Sequence, residues 1–134
     1  MPTPFQLAIV APDRSVLDEP VQSVIAPGVE GYFGVWAGHA AMIAALKAGI
    51  VEYTDMAGTQ YSVAIGGGFA EVAATRVTLL ADSAERSTEI DVARAERNVE
   101  EARKALRGEE SKFSPEEATG ELEAAMNLIR AAKR

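Results

Sequence analysis

Ala84-Glu85-Arg86-Ser87-Thr88-Glu89-Ile90-Asp91-Val92-Ala93-Arg94-Ala95 is the stretch at which the texture of the chain changes. Before it, apolar residues come in short alternating bursts cut by Gly, Pro and Asp; after it, Gly and Pro nearly vanish and Ala, Glu and Arg dominate. The first pattern has the period of two of half-buried strands, whereas the second is composed of strong helix formers. The chain therefore reads as two parts, a β domain over residues 1–86 and a helical part over 87–134. The fold class is α+β.

Downstream of the junction, Thr88 is placed to cap a helix whose third residue is Asp91, and Gly108 to end it. Ser114-Pro115-Glu116-Glu117 is a capping box with proline at the first helical position. These signals predict helices over Glu89–Arg107 and Pro115–Ala132, joined by a polar loop short enough to force an antiparallel hairpin. Val92, Ala95, Val99, Ala102 and Leu106 face Ala118, Leu122, Ala125, Ile129 and Ala132 at alternating steps of three and four, which is a coiled-coil seam. Half of these positions are alanine, and each buries far less than a large aliphatic side chain, so the hairpin is expected to be thinly held together.

Upstream, Phe5, Leu7 and Ile9 alternate with their neighbours, as do Tyr61, Val63 and Ile65 with Gln60 and Ser62. Asp55-Met56-Ala57-Gly58 lies between Ile50–Thr54 and Thr59–Ile65, a hairpin closed by a Gly-containing loop. Val21–Ala26 and Val77–Ala81 add further strands. Many short strands at such spacing specify an antiparallel sandwich or barrel.

The totals bound the function. At 134 residues the chain holds one core and an appendage. A net charge of −7 opposes nucleic-acid binding at long range. The apolar run Ala40–Leu46 is too short to cross a bilayer, so membrane association is expected only through partners. The first basic residue, Arg14, comes too late for a secretory start, which predicts a cytoplasmic address, and the absence of cysteine agrees with it.

No set of residues suits catalysis. One histidine and no cysteine leave zinc sites and Ser-His or Cys-His pairs almost nothing to build on, so neither a catalytic nor a metal site is expected. Gly66-Gly67-Gly68 lacks the Lys-Ser or Lys-Thr of a phosphate loop and precedes the strand-like Phe69–Val72, which makes it a bend or bulge. His39, after Gly38, shapes a loop or meets a partner. Trp36 lies in a Gly-punctuated loop where an aromatic packs inward or onto another protein, the core being the commoner fate. Glu85, Asp91 and Arg94 cluster at the junction; Asp91 and Arg94, three apart, form either an internal ion pair or, with Glu85, a ligand site.

In order and spacing, Gly31-Tyr32-Phe33-Gly34-Val35-Trp36-Ala37-Gly38-His39, Gly67–Val72, Val77–Ala81, Ala84-Glu85-Arg86 and Ile90–Ala95 resemble the epsilon subunit of bacterial F-type ATP synthases across essentially the whole chain. The resemblance implies a flattened antiparallel sandwich of about ten strands followed by the helical hairpin. It further implies a non-catalytic subunit of the rotating central stalk that couples ion-driven rotation of a membrane ring to ATP synthesis at the cytoplasmic face of the bacterial membrane. The implied partners are the gamma subunit, the ring of ion-carrying subunits and, for an extended hairpin, the catalytic beta subunits, the extended form restraining ATP hydrolysis.

Implied contact residues lie in Glu30–Met42, with Glu30, Gly31, Tyr32, Trp36, His39 and Met42 the candidates. In some relatives ATP is a regulatory ligand of the folded hairpin, and the matching residues are Glu85, Asp91 and Arg94. The pattern departs at Ala124 and Leu128, where such relatives place arginines, at Glu101, where a first-helix arginine is replaced, and at Ala41, where proline is common. A stand-alone ATP-sensing module is the competing reading from a different class.

Overall fold

The computed structural model describes residues 3–134, so the first two residues of the expected 1–86 domain lie outside the described residues. The chain divides after Arg86 into two compact units. The first contains seven strands: β1 (Phe5–Ala11), β2 (Arg14–Gly28), β3 (Gly31–Trp36), β4 (Met42–Asp55), β5 (Gln60–Val72), β6 (Arg76–Ala81) and β7 (Ala84–Arg86). They pair in the order β1-β6-β5-β4-β2-β3, β7 lies on β5, and β1 also pairs with β2. Five strands thus close into a ring. An odd ring cannot alternate direction throughout, and the necessary exception to the antiparallel expectation is β1–β6, which is parallel.

Seven continuous strands replace the expected count of about ten because the long ones bend without breaking. β2, β4 and β5 run for 15, 14 and 13 residues. β2 slips register against β4 between Val21 and Ser23 and again between Ile25 and Gly28. β5 changes partner midway, pairing β7 over Val63–Ile65 and β6 over Gly68–Val72. The switch falls on the glycine run, where Gly67 and Gly68 adopt positive φ, so that run is a bend. At the β4–β5 turn Asp55 Oδ1 accepts from the N–H groups of Ala57 and Thr59, and Gly58 supplies the positive φ. Inside the ring, Leu7, Ile9, Val21, Val24, Val51, Tyr53, Val63, Ile65, Val77 and Leu79 form the core. Burial and the nearby Glu19 carboxylate push the Tyr53 phenol up to about 12.

The second unit opens with a 3-10 turn, Ser87–Glu89, and continues as α1 (Val92–Leu106) and α2 (Pro115–Ala132). The N-terminal signal of α1 differs from the expected one: Asp91, not Thr88, is the N-cap, its Oδ1 accepting from Arg94 N at 3.1 Å. Thr88 is taken up by the 3-10 turn, which leaves Asp91 extended at the position from which a side chain reaches the third helical N–H. At the other end Gly108 takes positive φ, with Gly108 N donating to Ala105 O and Glu109 N to Lys104 O, a Schellman ending. Both bonds of the Ser114–Glu117 capping box form.

The seam is poorer than expected. The wholly buried apolar side chains of the two helices are alanines 95, 102, 105, 118, 125 and 131, beside buried Asn127. Leu106 is half exposed, and Ala131 is buried more completely than Ala132. Helical spacing leaves residues 105 and 106 straddling the seam line, and the smaller one goes in.

The hairpin tip is the most tightly bonded part of this unit. Glu101 accepts from Lys104 Nζ at 3.2 Å, Lys112 N at 3.1 Å and Ser111 Oγ at 3.4 Å, and Arg107 engages both Glu100 and Glu109. Three carboxyls here sit below the ordinary glutamate value of 4.5: Glu101 through the Lys112 N–H, Glu109 through Arg107, and Glu117 through the Ser114 N–H. A carboxyl whose folded pKa is depressed stabilises fully above its unfolded value, and the contribution is lost as pH falls through the folded value. Helical circular dichroism is therefore expected to fall as the pH drops below about 4.5, with Glu101→Gln showing a smaller acid-induced change. Acid-independent helicity would dismiss these bonds.

Candidate functional site

The turn Val29–Glu30 joins β2 to β3, and Gly31 has positive φ. Together with the start of β4 it forms an open groove of about 530 Å³, lined by Gly28–Phe33 and Met42–Ala45. Val29, Tyr32, Met42 and Ile43 expose their apolar side chains there, Ile43 the most at 77%. Glu30 supplies the carboxylate of the lining. Four of the six expected contact residues, Glu30, Gly31, Tyr32 and Met42, therefore share one groove, whereas Trp36 and His39 are not part of its lining.

Tyr32 also has an internal role. Because β2 and β4 lose register between Ile25 and Gly28, buried Ile50 has a partner on β5 but none on β2; its N–H donates to the Tyr32 hydroxyl at 3.1 Å. The tyrosine reaches it over Gly49, where an added Cβ would stand 2.8 Å from the hydroxyl and 2.6 Å from Pro27 Cβ. Tyr32→Phe keeps the ring but orphans this N–H, so a stability loss of about 1–3 kcal/mol is expected in urea unfolding. An unchanged midpoint would mean that Ile50 finds another acceptor.

His39 shapes its loop. One ring nitrogen meets the Trp36 carbonyl, the other meets the Ala73 carbonyl at 2.7 Å, and the ring stands edge-on to Phe5. These contacts tie the segment after β3 to the β5–β6 turn. Trp36 itself is 59% exposed, which excludes the inward packing, the commoner of its two expected fates: Phe33 and Val35 take the inward positions of β3, and the alternation sends Tyr32, Gly34 and Trp36 out. Residue reasoning missed Val29 and Ile43. The Gly-Val-Glu-Gly turn signalled the first, since a turn cannot bury its tip; nothing local signalled the second.

The nucleotide candidates are placed as follows. Glu85 is half-buried on β7, its backbone opposite Ala64. Asp91 is committed to the N-terminus of α1, and the Asp91–Arg94 contact is this main-chain cap in place of the expected side-chain ion pair. Glu101 is committed to the hairpin loop. Among the described residues no group of three acidic, histidine or cysteine side chains could hold a metal ion, and no helix is long and apolar enough to cross a membrane.

A closed β-sandwich with a glycine-bent long strand, followed by a capped helical pair, is a two-part architecture, and each part matches a domain of the same ATP synthase subunit family. Residues 4–87 match the family model for the ATP synthase delta/epsilon chain β-sandwich domain, and 88–133 that for its long α-helix domain. The chain belongs to the ATP synthase epsilon-chain family. It is 46% identical over 102 residues to the ATP synthase epsilon chain of Carboxydothermus hydrogenoformans, covering 76% of this chain and 75% of that one. It is 40% identical over 128 residues to that of Moorella thermoacetica, covering 96% of both. A chain in the Euglena gracilis mitochondrial ATP synthase structure of OSCP, F1 and c-ring superposes with a TM-score of 0.82 at 28% identity, over 98% of this chain and 82% of that one.

Proposed function

We propose that the chain is a non-catalytic subunit of the central stalk, holding the gamma subunit and the membrane ring together so that ion-driven rotation reaches the catalytic hexamer. The observation that carries this is the exposed apolar groove of residues 28–33 and 42–45 on an otherwise closed sandwich. Exposed apolar side chains gathered in one groove and rimmed by a carboxylate mark a surface suited to contact with another protein. The hairpin, thinly packed and separately folded, acts on the catalytic beta subunits and restrains ATP hydrolysis. The assembly lies at the cytoplasmic face of the bacterial membrane, held there by its partners. The test is affinity capture of the tagged chain from its own cells: gamma is expected in stoichiometric amount, and its absence sinks the proposal.

The stand-alone ATP-sensing reading has less support. Asp91 caps its own helix and Glu101 places a carboxylate in the hairpin, where triphosphate charge would need cations. Calorimetry with millimolar ATP is expected to give no binding heat; a saturable signal abolished by Arg94→Ala would restore the sensor reading.

A further inference from the structure

The groove leaves the chain's single tryptophan unexplained. Trp36 sits on the outer face of β3 with its six-membered ring laid over Gly34: a Cβ built at residue 34 would stand 2.5 and 2.6 Å from Cζ3 and Cη2. Gly34 is not among the glycines of positive φ. A side chain at residue 34 would therefore push the indole out of this pose, while the backbone there would accept one. Ile25, the cross-strand neighbour of Gly34, is 40% exposed and extends the same outer face. The result is a flat apolar platform whose indole has its seat fixed before any partner arrives, so little side-chain entropy is lost on docking. Tyr32, the other outward aromatic of β3, has its hydroxyl engaged by Ile50.

Charge selects the occupant. Residues 1–86 carry 4 basic and 9 acidic side chains, net −5, and Glu52 is the partner of Ile25 on its other side. An apolar contact surface bordered by arginine or lysine complements such a platform, through the acidic balance of the domain and through the indole face.

We propose that Trp36, seated on Gly34, is the anchor by which the sandwich holds its stalk partner, and that Gly34 sets the pose of that anchor. The proposal rests on the stalk reading above and adds to it the deciding residue pair. Because there is one tryptophan, the full-length chain labelled with fluorotryptophan gives one fluorine resonance when mixed with unlabelled gamma. That resonance is expected to shift on complex formation. Trp36→Ala is expected to weaken gamma binding about tenfold or more, Gly34→Ala to weaken it comparably with unfolding little changed, and the double variant no further than Trp36→Ala. A complex that forms with the resonance unmoved, or a Gly34→Ala chain that binds like wild type, overturns the anchor and leaves the stalk reading standing. Wild-type chain that binds no gamma overturns both. The wild-type resonance discriminates between these outcomes even where a variant fails to fold.

Discussion

Gly68→Ala is expected to lower the stability of the sandwich by roughly 3–5 kcal/mol or more. Two independent faults coincide at this residue. Its φ is +135°, a conformation side chains rarely adopt, and an added Cβ would stand 1.9 Å from the Leu80 carbonyl oxygen and 2.9 Å from the Ala81 Cα. Neither obstacle is the end of a flexible side chain. Gly68 is paired with Ala81, and the next pair, Phe69–Leu80, begins the run that closes the ring toward β6 and β1. Relief would require the β5–β6 ladder to part where β5 changes partner. Small domains have about 5–15 kcal/mol in hand, so much of the margin goes. Gly31→Ala is the control: φ is +130° there but nothing lies within 4 Å, so only backbone strain of about 1–3 kcal/mol is expected. Urea unfolding of both variants separates strain from collision, and equal midpoints would show that the close approach does not matter.

The glycine run is legible in the sequence as a bend because its composition excludes a phosphate loop and its flanks alternate. The Ser114 capping box and the Gly108 ending are legible for the same reason: caps are local chemistry carried by adjacent residues. The start of α1 is less so. Thr88 and Asp91 are both good caps three residues apart, and the choice between them is made by a 3-10 turn that composition does not announce. Trp36 reads as packing either inward or onto another protein because its glycine-rich surroundings suggest a loop; once β3 is a strand, buried Val35 dictates an outward neighbour. The bonds that define the site are of another kind. Tyr32 to Ile50 spans 18 residues across a register slip, and Glu101 to Lys112 spans a loop. Neither partner is identifiable until the topology is known, which is also why the role of Tyr32 inside the fold is invisible beside its implied role in partner contact, and that of Glu101 beside its reading as a departure from the nucleotide-binding pattern.

Removing residues 87–134 is expected to raise ATP hydrolysis by the assembled enzyme, within the roughly 5–150-fold that couplings of 1–3 kcal/mol allow, while leaving assembly nearly intact. The second half follows from where the sandwich ends. Arg86 Nη2 donates to the Val16 carbonyl at 2.8 Å and Arg14 Nη2 to the Ala84 carbonyl at 3.2 Å, so β7 is stitched to the β1–β2 hairpin up to the last retained residue. A cut beyond Arg86 leaves those bonds; a cut before Ala84 removes them and is expected to weaken gamma binding as well. The first half follows from how little binds the helices to each other. Six buried alanines contribute far less than the ~1.5–3 kcal/mol each of large aliphatic side chains. Against them stand the buried Asn98 Oδ1, which meets no hydrogen-bond partner among the described residues, and Gly120 inside α2, a loss of about 1 kcal/mol relative to alanine. An element so balanced can be rearranged by a partner whose preference between its states is only a few kcal/mol. Hydrolysis unchanged by the cut, measured on complexes with normal gamma content, would mean that the hairpin does not restrain the motor.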